Sequence, residues 1–82
     1  MYKKTVKLIK GTSTIYAHLA RGKFKKYRRE GEYFVDGEFG RSGECVSNNW
    51  HYDYSVCKAD FLAYVGEKIL GGYTIAEVTI EQ

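Results

Sequence analysis

The chain has 82 residues, of which 44% are hydrophobic, 16% aromatic and 28% charged, with two cysteines, no proline and a net charge of +3. That profile fits one folded domain spanning residues 1–82 and excludes both a disordered tail and a disulfide-stapled miniprotein. No apolar run approaches the roughly 20 residues that a membrane-spanning helix needs, so a cytoplasmic protein without membrane contact is expected.

The charge is unevenly placed. Residues 1–29 carry ten Lys and Arg and no acid, whereas residues 30–82 carry all ten acids against three cations, a split of +10 and −7. Such asymmetry points to a polyanionic partner, unless the two halves lie side by side and neutralise each other.

In chain order, Tyr2 to Lys10 alternates, with Tyr2, Val6 and Leu8 on one side and Lys3, Thr5, Lys7 and Ile9 on the other. This is the pattern of a strand with one buried and one largely basic face. Gly11-Thr12 reads as a turn into a second strand, whose Ser13, Ile15, Ala17 and Leu19 share one face and Thr14, Tyr16 and His18 the other. Arg21-Gly22 reads as a two-residue hairpin loop that sets Leu19 opposite Phe24 and collects Tyr16, His18, Lys23, Lys25, Tyr27 and Arg29 on one aromatic, cationic face. The same register puts Lys26 and Arg28 on the core side, where they must snorkel or sit at an edge.

Glu30-Gly31 opens a turn-rich middle. Tyr33-Phe34-Val35 reads as a short strand, Asp36-Gly37 as a hairpin turn and Glu38-Phe39 as the start of the return. Cys45-Val46 and Trp50-His51-Tyr52 read as strand pieces around an Asn48-Asn49 turn. A helix is expected over about residues 56–70, capped by Asp53 or Ser55, with Cys57, Phe61, Leu62, Val65 and Ile69 as its apolar stripe and Gly71-Gly72 as its stop. Alternation resumes from Tyr73 to Glu81, with Val78 and Ile80 inward and Glu77, Thr79 and Glu81 outward. The expected class is α+β: an antiparallel sheet of four to five strands, one helix packed on a face, and a final strand.

For function, the basic stretch carries the strongest signal. Phosphate backbones require cations spaced along a surface, and unstacked bases require flat aromatic partners. Lys7, Tyr16, His18, Lys23, Lys25, Tyr27 and Arg29 supply both, with Lys26 and Arg28 as supporting phosphate contacts, so a DNA- or RNA-binding module is expected. The alternative is a small inhibitor or adaptor of the kind viruses encode, docking on a host protein complex through charged faces. In that reading Glu32, Asp36 and Glu38 can mimic nucleic acid.

No enzymatic activity is expected. His18 and His51 with Asp53, Glu30 or Lys25 are the residues from which a small ribonuclease would be built, but no motif brings them together. Neither a metal nor another cofactor is expected. Cys45, His51, Asp53 and Cys57 fall within thirteen positions, yet none forms a Cys-x-x-Cys or His-x-x-x-His pair, and Cys57 belongs to the helix stripe. The two cysteines read as reduced thiols in or near the core.

Overall fold

The computed structural model describes residues 2–24, 29–37, 45–51 and 53–82, with side chains for 2–22, 30–37 and 53–82. Strands β1 (Tyr2–Lys10), β2 (Ser13–Phe24), β3 (Arg29–Asp36) and β4 (Cys45–His51) precede helix α1 (Tyr54–Leu70) and strand β5 (Thr74–Glu81). The class is α+β. The sheet runs β4-β3-β2-β1-β5, with every neighbouring pair antiparallel. A four-strand meander is thus followed by a helix that returns the chain to the opposite edge. At about 1.5 Å per residue, α1 spans roughly 25 Å, enough to cross the roughly 19 Å of four interstrand gaps.

Alternation in the first two strands resolves as the sequence implies. Gly11, at φ +57°, makes the tight turn that pairs Lys10 with Ser13, and the register then sets Val6 against Ala17 and Leu8 against Ile15. These four residues, with Leu19 of β2, Tyr33 and Val35 of β3, and Cys57, Phe61 and Val65 of α1, form the buried cluster. The helix begins two residues before the expected start. Asp53 caps it, its Oδ1 accepting from the Ser55 backbone N–H and hydroxyl at 2.8 Å each. It ends in a Schellman turn in which Gly72, at φ +99°, donates to the Ile69 carbonyl and Tyr73 to that of Lys68, both at 3.0 Å. The expected stripe is interior at three of its five positions: Cys57, Phe61 and Val65 are buried, whereas Leu62 and Ile69 are exposed.

Three expectations are corrected. Arg21-Gly22 is not a turn: β2 continues to Phe24, which pairs with Arg29, and Leu19 faces Tyr33 rather than Phe24. The longer register seats Ala17 beside Val35 and Leu19 beside Tyr33, four buried residues, whereas a turn at Arg21-Gly22 would have aimed Lys26 and Arg28 at the core. Glu30-Gly31 is likewise strand. A Cβ on Gly31 would come within 2.9 Å of the Tyr54 Cα and 3.0 Å of the Cys57 Sγ, so glycine serves here to let α1 lie close on β3. Asn48-Asn49 is no turn either, for β4 runs through both, opposite Phe34 and Tyr33, and the backbone ladder overrides weak strand propensity. The expected return at Glu38-Phe39 lies outside the described residues; the pairing with β3 resumes at Cys45, opposite Asp36.

In β5, a register shift between Lys7 and Leu8 leaves Ala76 as an extra residue. The bulge turns Ile75 to the same side as Val78 and Ile80, which a spacing of three would otherwise forbid. These three lie on the helix side of the sheet, but α1 rests over β3, with β2 and β4 beside it, and β5 is exposed along its whole length.

Candidate nucleic-acid interface

The β1–β2 ladder ends at Tyr2 opposite Arg21, and the β3–β4 ladder ends at Gly31 opposite His51. Past these points, among the described residues, β2 and β3 pair only with each other, with a register shift between Arg21 and Phe24. In the sequence, residues 22–29 hold five cations, two aromatics and no acid. Lys23 lies in the β2 strand of this two-stranded extension and Arg29 opens its β3 strand opposite Phe24; Lys25, Lys26, Tyr27 and Arg28 lie outside the described residues.

Lys7, Tyr16 and His18 occupy a different place, the sheet face opposite α1. Lys7 pairs with Tyr16, its Nζ 6.0 Å from the ring centroid, and Lys3 reaches to 5.9 Å above Phe34. Tyr16 and Lys23 are seven residues apart on one strand, roughly 23 Å at 3.3 Å per residue. Of the seven residues expected to form one platform, Lys7, Tyr16 and His18 thus lie on the sheet face and Lys23 and Arg29 on the extension. The sheet face is also mixed in sign, since Glu32, Asp36, Glu77 and Glu81 fall on the same side as Lys3 and Lys7 by alternation and register.

His18 is held rather than presented. It is intermediate in burial and stacks on Phe34 with ring centroids 4.4 Å apart. Its Nδ1 lies 2.9 Å from the Thr5 hydroxyl and its Nε2 lies 3.0 Å from Asp36 Oδ2. Burial lowers its pKa below the ordinary value; Asp36 pulls the other way, Lys3 acts with burial, and burial prevails. The neutral ring has one tautomer that satisfies both neighbours: Nε2–H donates to Asp36 while Nδ1 accepts from Thr5.

The hydroxyl–imidazole–carboxylate chain has the order of a hydrolytic triad but not its surroundings. β2 is paired on both sides here, so its backbone N–H groups are committed to the ladders and leave no oxyanion donors. The arrangement works as a cross-strand polar clamp. The other acid–base candidates stand apart: His51 pairs with Gly31 at the far side of β3, Asp53 caps α1, and Glu30 is exposed in β3. Among the described residues, no group of three His, Cys, Asp or Glu could hold a metal ion. No helix among them is long and apolar enough to cross a membrane.

Where the extension leaves the sheet, Arg21 places its guanidinium 4.9 Å from the Tyr54 ring, and both line an open cleft with Tyr2, Gly22 and Gln82. Burial, and then neighbouring Tyr2, raise the Tyr54 hydroxyl pKa above its ordinary value. Sequence alone did not join Lys3, Phe34 and Asp36 to His18 on the open face, nor Arg21 to Tyr54 on the helix side. The alternation of Glu32, Phe34 and Asp36 was the available signal, but it becomes visible only once β3 is extended back to Arg29. No protein-family model, curated protein or solved structure matches this chain.

Proposed function

We propose that the chain is a small, non-enzymatic nucleic-acid-binding module whose contact element is the β2–β3 extension. One observation supports this reading: Lys23 and Arg29, which lie at the two ends of the most cationic stretch of the sequence, sit on β2 and β3 past the last rungs that β1 and β4 make with them among the described residues. A two-stranded ribbon has the cross-section to enter a duplex major groove, and five cations with Phe24 and Tyr27 supply phosphate contacts and ring surfaces. Lys7 and Tyr16 form a secondary contact on the sheet face, while His18 stiffens that face from beneath.

The test is binding to fluorescent duplex DNA, single-stranded DNA and RNA across about 50–300 mM salt. The expected result is a steep loss of affinity with salt, and in Lys23→Gln/Lys25→Gln/Arg28→Gln a log–log slope on duplex DNA shallower by roughly 0.9 per lost contact. Lys7→Gln/Tyr16→Ala should weaken binding by a smaller factor. Absence of binding at about 50 mM salt, or an unchanged slope in the triple variant, overturns the reading.

A further inference from the structure

The free edge of the sheet at β5 carries a pattern that specifies a partner. β5 pairs with β1 on one side and is the last strand of the sheet on the other, so the backbone N–H and C=O groups on its outer edge meet no strand among the described residues. Towards the open face it presents Glu77, Thr79 and Glu81, and on its inner side these meet Lys7, Thr5 and Lys3 in register. Towards the helix side it presents Ile75, Val78 and Ile80, which stay 48%, 47% and 53% exposed while α1 rests chiefly over β3, β2 and β4.

We infer that β5 is a docking edge for an extended segment of another protein in which Lys or Arg alternates with apolar residues. Such a segment repeats on the outer side of β5 what β1 does on the inner side. Its cations meet Glu77 and Glu81, its apolar residues cover Val78 and Ile80, and its backbone completes the ladder. A second copy of the chain fits worse. Antiparallel self-pairing of β5 centred on Thr79 sets Glu77 against Glu81 of the other copy, a like-charge pair at every acidic rung. The edge is at the opposite side of β1 from β2 and β3, so this inference does not depend on nucleic-acid binding.

The experiment uses the full chain and two labelled, capped synthetic peptides that alternate valine with polar residues, one lysine–threonine–lysine and the other glutamate–threonine–glutamate. Fluorescence anisotropy should show the lysine peptide binding about tenfold tighter, the swing expected for two rungs changed from repulsion to attraction. Glu77→Gln/Glu81→Gln, checked for folding by its thermal transition, should lose that preference while keeping residual binding. Amide shifts on adding the lysine peptide should centre on β5. Equal affinity for the two peptides, no binding of either, shifts centred on β4, or self-association of the chain in sedimentation would each overturn the assignment.

Discussion

In β3, Tyr33 and Val35 alternate with Glu32, Phe34 and Asp36 and are 3% and 0% exposed; in β5, Val78 and Ile80 alternate with Glu77, Thr79 and Glu81 and are 47% and 53% exposed. The two strands carry one pattern and differ in what lies above them. Alternation selects the side of the sheet to which a residue points, but not whether anything covers it: α1 rests over β3, with β2 and β4 beside it, and leaves β5 exposed. The absence of a side chain at Gly31 decides which strands are covered, because only there can α1 settle onto the backbone of β3. β5 keeps the sequence of a buried strand without the cover.

The sharpest way to break this comparison is one deletion made twice. Val35→Ala removes two methyl groups from a fully buried site and should cost about 2–3 kcal/mol, whereas Val78→Ala removes the same atoms from a half-exposed one and should cost about 1 kcal/mol or less. Urea denaturation of the two variants gives the difference directly. Equal losses would mean that β5 is buried in solution and that the contrast between the strands does not hold.

A somewhat smaller effect tests the seat of the helix. Gly31→Ala forces a methyl group into contacts of 2.9 Å with the Tyr54 backbone and 3.0 Å with Cys57 Sγ, and should destabilise by about 1–3 kcal/mol. Adding Cys57→Ala clears the sulfur but not the backbone, so the double variant should recover only part of the loss relative to the sum of the singles. Strict additivity in a double-mutant cycle would detach Gly31 from the placement of α1.

These contrasts also mark how far the sequence could be read. The class, the β1–β2 register and the helix were legible because each depends on local signals: the alternation around Val6 and Leu8, glycine at a positive-φ turn, Asp53 as a cap and Gly71-Gly72 as a stop. The course of β2 and β3 was not. Arg21-Gly22 and Glu30-Gly31 carry glycines that look like turn signals, yet one lies inside β2 and the other serves the helix packed above it, a tertiary cause that no local window contains. The division of the candidate interface has the same cause, because β2 runs on through Arg21-Gly22 to Phe24 and carries Lys23 away from Lys7 and Tyr16. Asp36 stood in the sequence as a turn residue, and its role as the partner of His18 emerges only from the register that sets Phe34 opposite that histidine.

The subtlest expected effect lies on the open face, where β3 again differs from β5 in having a titrating partner. His18 ionises less readily in the folded chain than in the unfolded one, where its pKa is about 6.5, because burial outweighs the pull of Asp36. As pH falls through 6.5 the unfolded chain therefore takes up a proton that the folded chain refuses. The His18 contribution to stability is fully present above 6.5, declines below it, and stops changing once pH passes the lower folded value. Urea midpoints at pH 7.5 and 5.5 should show this decline, and His18→Gln should remove that part of it. Asp36→Asn takes away the influence that raises the folded value and should make the decline larger. Hydrogen exchange should place the loosening along β2 and β3, since Glu77 and Glu81 of β5 have lysines rather than a histidine opposite them. A His18-dependent gain in stability on acidification would mean that the carboxylate prevails over burial, and His18 would then be a cation on this face, available to the same anionic partners as Lys3 and Lys7.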